Sequence, residues 1–226
     1  MNEDLSRKEL LEELDPFLVF VGRMLEFGKK YQKQIVTAVG AIVALAIVVT
    51  GVMYYKNQTE DQAAALLGKA MTKYNAVKKG DAAAAAYEEV KKEFQALTEK
   101  YRSTSAGKVA LLQYADLCYL TKNYDDAIKG YEKALDALGH TEFSTLIFNG
   151  LAYSWEGKED YERAAGYFEK IVADNAAVSK DQALFNLGRM YGKLGKMDKE
   201  KEAFSKLVAE YPDSLYFELA SEKIAG

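Results

Sequence analysis

The chain has 226 residues, enough for one domain of ordinary size and additional segments. Its 30 basic and 34 acidic residues give a formal net charge of −4, so it lacks the basic excess typical of nucleic-acid-binding proteins. One cysteine excludes an internal disulfide and a cysteine-based zinc site, and one histidine argues against a histidine-rich metal centre. With 2 prolines and 49% hydrophobic residues, the composition favours a helical, non-enzymatic protein, and we expect no cofactor, metal or small-molecule substrate.

Residues 1–33 are predicted to form a cytoplasmic leader that contains an amphipathic helix. The pair Asp15-Pro16 favours a helix start, because Asp is a good N-cap and Pro suits the first helical position. The following residues place aromatic side chains on one face, which we interpret as an interfacial helix, and these aromatic residues are Phe17, Phe20 and Phe27. The alternatives are a helix covered by a partner protein or a simple extension of the next helix.

Residues 34–55 are predicted to be a transmembrane helix. The segment is 22 residues long without a charge, and at about 1.5 Å per residue it is long enough for a hydrocarbon core of about 30 Å. Because a charged stretch of 33 residues precedes it, we expect a retained signal anchor rather than a cleaved signal peptide. Basic residues are denser before the segment than after it, which predicts a cytoplasmic amino terminus. In a bacterium, the anchor would lie in the inner membrane and residues 56–226 in the periplasm.

Residues 56–226 are predicted to contain repeated helix pairs. The clearest unit is 181–214. Gly188 indicates a close helix crossing, Tyr191 and Phe204 are inter-helix aromatic residues, and Gly195 and Pro212 indicate the ends of the two helices. The full set of pattern residues is Leu187, Gly188, Tyr191, Gly195, Phe204, Leu207 and Pro212. Two further units begin at residues 143 and 108, so the three starts are 35 and 38 residues apart. These spacings resemble those of the tetratricopeptide repeat, which has a period of about 34 residues.

The other units follow the same pattern less closely. In unit 143–176 we assign Gly150, Tyr153 and Gly157 to the first helix and infer a two-residue insertion in the turn that follows. Unit 108–139 has Ala115 and Cys118 in its first helix, and Cys118 is interpreted as a small buried hydrophobe. A degenerate unit is predicted at 59–104 and a capping helix at 215–225. The link residue His140 is expected to be exposed to solvent.

The predicted fold is therefore all-α, with one amino-terminal transmembrane helix followed by a right-handed superhelix of tetratricopeptide helix pairs. As a whole, the layout of a basic leader, one span and an Ala-rich first helix of irregular repeats resembles the ancillary subunit family of the SecYEG translocon. That resemblance implies a protein that sits beside the translocon and hands emerging periplasmic proteins to chaperones.

The first helices of a repeat array share one surface, which makes this surface the candidate partner groove. Assigning its residues from the units above gives Asp116, Tyr119, Phe148, Trp155, Asn186, Arg189 and Lys193. Aromatic side chains beside a few polar groups suit an extended peptide or a partner helix. The alternative is that the apolar first-helix residues only pack within the superhelix, as Leu112, Ile147, Phe148 and Phe185 would.

The predicted function is that of a membrane-anchored protein–protein interaction module of the bacterial cell envelope that assists protein export or periplasmic folding. Its expected partners are translocon subunits, periplasmic chaperones or client proteins, together with the lipid bilayer, and not nucleic acid. The alternative is a structural or assembly subunit of a larger inner-membrane complex, in which the leader and the span bind a fixed partner.

Overall fold

The computed structural model describes residues 16–79, 84–139 and 142–225. Within these ranges the chain forms ten α-helices and no strand, which confirms the all-helical fold. The helices are α1 (Pro16–Lys30), α2 (Gln32–Lys79), α3 (Ala84–Lys100), α4 (Ser105–Leu120), α5 (Tyr124–Leu138), α6 (Ser144–Gly157), α7 (Tyr161–Ala173), α8 (Lys180–Lys193), α9 (Met197–Glu210) and α10 (Phe217–Ala225). Asp15 and His140 lie outside the described residues.

The chain divides into two compact units, Met1–Asn57 and Gln58–Gly226. In the first unit, helical hydrogen bonds continue across the turn residue between α1 and α2, because Tyr31 N donates to Phe27 O at 3.0 Å and Ile35 N donates to Tyr31 O at 2.9 Å. By length and composition, α2 could cross a membrane. The sequence treated residues 34–55 and the first repeat helix separately, whereas the structure joins them in one helix of 48 residues.

The second unit is an array in which each helix from α3 to α9 packs on the next one in the chain. Its buried side chains form four clusters that follow one another along the array, and each cluster takes residues from successive helices. Neighbour-to-neighbour packing of this kind is the defining property of helical repeat proteins. The largest fully buried side chains are those of three second helices, Phe94, Phe168 and Phe204.

Three turns within the array have the same length and the same backbone conformation. Three residues separate α4 from α5, α6 from α7, and α8 from α9. The middle residue of each turn has a left-handed backbone, with φ of 60° at Lys122, 62° at Glu159 and 69° at Gly195. The predicted two-residue insertion after α6 is therefore wrong, and Gly157 is the last residue of α6 rather than the turn residue.

Counting back from the left-handed residue of each turn gives a common register for the three helix pairs. Seven residues before it stand Ala115, Ala152 and Gly188, which are small residues where the two helices of a pair meet closely. At Gly188 a Cβ would lie 2.6 Å from the ring of Phe204. Ala152 thus takes the position assigned from sequence to Gly150, and Trp155 takes the one assigned to Tyr153.

The residues moved out of these positions have other contacts. Gly150 lies against the ring of Tyr131 from the preceding helix, α5, where a Cβ would be 2.2 Å from the ring.

The carboxylate of Glu60 in α2 caps α4, since it accepts from Ser105 N at 3.0 Å and from Ala106 N at 3.1 Å. The degenerate first unit is therefore fixed to the array at the start of α4.

We predict that Glu159→Gly and Lys122→Gly each stabilise the protein by about 0.5–1 kcal/mol. A left-handed backbone costs a residue with a Cβ about 1–2 kcal/mol, and the greater entropy of glycine in the unfolded chain offsets part of the gain. Both side chains are exposed, so little packing is lost. The measurement is the urea midpoint of the purified chain. Gly195→Ala is the reverse control and should lower the midpoint; unchanged or lower midpoints for both glycine variants would contradict the turn geometry.

Candidate protein-interaction surface

The common register places six polar or aromatic side chains from the three first helices on one side of the array. We call this set the first-helix face, and it consists of Asp116 and Tyr119 in α4, Tyr153 and Glu156 in α6, and Asn186 and Arg189 in α8. Five of the six stand three or six residues before the left-handed turn residue of their own pair. In repeat arrays the first helices line the surface that receives partners.

Direct polar contacts connect α6 to α8 across this face. The hydroxyl of Tyr153 accepts from Asn186 Nδ2 at 2.8 Å and from Gln182 Nε2 at 3.2 Å. Arg189 donates from Nη1 to Asn186 Oδ1 at 2.8 Å and from Nη2 to Glu156 Oε1 at 2.7 Å. The contacts hold the aromatic ring and the guanidinium in fixed positions, so the face presents preorganised groups to a partner.

The α4 part of the face combines aromatic rings with a partly desolvated carboxylate. The ring of Tyr119 lies 6.5 Å from that of Tyr153 and 5.9 Å from that of Tyr124. Asp116 accepts a hydrogen bond from the Tyr131 hydroxyl. Burial raises the pKa of Asp116 above its ordinary value, and the hydrogen bond from Tyr131 and the charge of Lys78 only partly oppose that rise.

Not all residues of the predicted groove lie on this face. Asp116, Tyr119, Asn186 and Arg189 do, and Lys193 is the exposed last residue of α8. Phe148 and Trp155 instead face α7, where Phe148 lies 6.2 Å from the Tyr167 ring and the Arg163 guanidinium lies 4.2 Å from the Trp155 ring. The groove assigned to α6 from sequence was shifted, because the supposed insertion displaced the register by two residues.

The alternative of simple packing holds for several apolar residues of the first helices. Leu112, Ile147 and Leu151 are buried, and Phe185 stacks on Tyr216 with the ring centroids 4.8 Å apart. Cys118 is fully buried, as expected for a small hydrophobe. In α1, by contrast, Phe17, Phe20 and Phe27 are all exposed.

The sequence reading missed Tyr153 and Glu156 as members of the face. The signal that could have found them is that Cys118, Trp155 and Tyr191 stand at the same distance before the left-handed residue of their turns. If Trp155 is aligned with Tyr191, the unit 143–176 needs no two-residue insertion. Across the described ranges, no group of three or more His, Cys, Asp and Glu side chains could hold a metal ion. The interactions that the first-helix face can offer a partner are hydrogen bonds, ion pairs and aromatic contacts.

Comparisons with known proteins agree with this architecture. A family model described as Tetratricopeptide repeat matches residues 182–214, which include most of α8 and all of α9. A tetratricopeptide repeat protein from Parabacteroides merdae ATCC 43184 has a TM-score of 0.58 at 19% identity, and the match covers 74% of this chain. The chain spans 59% of the length of that protein. No curated protein matches the sequence.

Two solved structures of MamA are also similar. The fragment MamA 41-end from Desulfovibrio magneticus RS-1 has a TM-score of 0.54 at 16% identity, with 71% of this chain and 92% of that chain covered. The MamA RS-1 ArsTM double mutant has a TM-score of 0.55 at 17% identity, with 73% of this chain and 92% of that chain covered. The helical array thus has the fold of tetratricopeptide repeat proteins.

We predict that Asp116→Asn stabilises the protein at neutral pH and that this advantage declines as the pH falls. The raised pKa means that the folded state holds the proton of Asp116 more tightly than the unfolded state. Folding stability is therefore lost as the pH rises from the ordinary Asp value of about 3.9 through the raised value. Asparagine can still accept from Tyr131 and carries no charge.

The measurement is the difference in unfolding free energy between wild type and Asp116→Asn at a series of pH values from about 4 to 8. The control is Asp136→Asn, which shows the effect of removing one exposed negative charge. A destabilised Asp116→Asn variant at neutral pH would contradict the account of this carboxylate.

Proposed function

We propose that this protein is a membrane-anchored interaction module that binds other proteins through the first-helix face. The observation that carries the proposal is the preorganised row across α6 and α8, in which Tyr153, Asn186, Arg189 and Glu156 hold one another in place. Such a row has already lost much of its rotational freedom, so binding a partner costs less entropy. Its aromatic and arginine side chains are also the residue types most enriched at binding hot spots.

The proposed anchor is the segment 34–55 of α2, with the amino terminus in the cytoplasm and residues 56–226 in the periplasm of a bacterium. The length and apolar composition of α2 support the span. The basic residues Arg23, Lys29, Lys30 and Lys33 before the segment support the orientation. Residues 1–33 remain the proposed leader and residues 56–226 the proposed repeat domain.

Within that frame, the favoured role is assistance to protein export or periplasmic folding beside the translocon, with client proteins or chaperones on the first-helix face. A structural or assembly subunit of a larger inner-membrane complex is the second candidate. The observation that favours this second role is α1, whose large apolar side chains Phe20, Met24 and Phe27 are about 60% exposed. A tether without a binding role would not need such a face.

The topology is tested by adding protease to spheroplasts of a bacterial host that expresses the chain. We expect digestion of residues 56–226 and survival of an epitope at the amino terminus, because only the part outside the inner membrane is reachable. A matched sample with permeabilised membranes should lose the epitope as well. Protection of the repeat domain in intact spheroplasts would contradict the proposed orientation.

Binding through the first-helix face is tested by photo-crosslinking in intact membranes from a benzoyl-phenylalanine placed at Tyr119 or Arg189. The matched control is Lys206, an exposed position on α9 in the same unit. Adducts with translocon subunits or with many clients from the two face positions, but not from Lys206, would support the favoured role. A single stoichiometric complex captured from Phe20 alone would establish the second candidate and overturn the first.

A further inference from the structure

Trp155, one of the two predicted groove residues that face α7, lines a separate site on the other side of α6. A cavity of about 520 Å³ opens between α5, α6 and α7. Its lining residues are Glu132, Trp155, Arg163, Gly166, Tyr167 and Lys170. None of them belongs to the first-helix face, so this cavity is a different surface of the repeat array.

Cations and aromatic rings alternate along the cavity. The Arg163 guanidinium lies 4.2 Å from the Trp155 ring centroid, and Lys170 Nζ lies 4.5 Å from the Tyr167 centroid. Arg163 Nε is also 3.5 Å from Asp160 Oδ2, an exposed pair within one helical turn that contributes little. The charged ends of both side chains thus lie against aromatic faces, which position them at the cavity.

Trp155 places an indole donor beside the cavity, and Gly166 leaves room for a ligand. The indole Nε1 of Trp155 is buried and has no hydrogen-bond acceptor among the described residues. Tyr191 stands at the same register position in the next helix pair, and its hydroxyl donates a hydrogen bond to the Glu169 carboxylate. The side-chain donor at this position therefore has an acceptor in that pair. At Gly166, which lines the cavity, a Cβ would meet nothing within 4 Å, so this position has room for a larger side chain.

We propose that this cavity binds an acidic peptide segment of a partner protein, with one carboxylate at Arg163 and another at Lys170. These residues are seven apart on α7, which places them about 10 Å apart along the helix. A polyproline II peptide repeats every three residues with a rise of about 3.1 Å per residue, so acidic residues three apart meet both cations from one side. A lipid would need an apolar channel for its chains, and the charged rim does not offer one.

The site has its own reporter, because Trp155 is the single tryptophan of the chain. The full chain in detergent is titrated with the peptide Ac-EPPEPPE-NH₂, and the matched control is Ac-QPPQPPQ-NH₂. We expect a saturable change in Trp155 emission with the glutamate peptide, none with the glutamine peptide, and a weaker response at high salt. The double variant Arg163→Gln, Lys170→Gln should weaken binding about tenfold or more.

Gly166 separates a binding defect from a folding defect. Gly166→Leu should keep the thermal unfolding temperature or raise it, because leucine is a better helix former than glycine and the position is open, yet it should abolish the response by filling the cavity. The proposal is overturned if Ac-EPPEPPE-NH₂ gives no emission change, or if Gly166→Leu binds it as wild type does. A change seen only with vesicles of anionic lipid would overturn it in favour of a lipid ligand.

Discussion

The close approach of the two helices in each pair is the constraint on which the rest of the array depends. It requires a small residue at one position of the first helix, and Ala115, Ala152 and Gly188 occupy it. In the α8–α9 pair the ring of Phe204 lies opposite Gly188, and Tyr131 and Phe168 take the same register position in α5 and α7; all three rings are almost completely buried. Because the interior is close-packed, shifting a first helix by even one residue would put a large side chain at the crossing. The crossing therefore fixes which side chains of each first helix remain outside the core.

This register separates two surfaces that differ in chemistry. The first-helix face is a row of mutually bonded groups, in which Arg189 is already paired with Glu156 and Asn186. A partner would therefore recognise this face by its shape and its hydrogen-bonding groups, because the charge of Arg189 is already paired within the face. The cavity beside Trp155 is different, since Lys170 lies over two aromatic rings there and a buried indole donor has no acceptor among the described residues. The same α6 helix contributes to both surfaces because its two sides pack against different neighbours.

The helical fold and most of the repeat pattern could be predicted from the sequence, because the spacing of apolar residues in 181–214 follows directly from the helix crossing. Gly188, Tyr191 and Phe204 could be placed correctly since each is the residue type that its position demands. The error in α6 arose because Gly157 resembled the turn residue Gly195, although the true counterpart is Glu159 in a left-handed conformation that is unusual for glutamate. The cavity could not be predicted at all, since it brings Glu132, Trp155 and Lys170 together from three helices.

The register of α6 is the central claim, and cysteine accessibility tests it most directly. In a Cys118→Ala background, single cysteines replace Leu146, Tyr153, Leu151 and Ala152, and the maleimide labelling rate of each is measured under native conditions. Leu146 is 49% exposed and Tyr153 is half-buried, whereas Leu151 and Ala152 have no exposed surface. The account predicts that the first two cysteines label at least about tenfold faster than the last two, because buried sites react only through opening of the structure. Labelling of the Leu151 cysteine as fast as that of the Leu146 cysteine would contradict it.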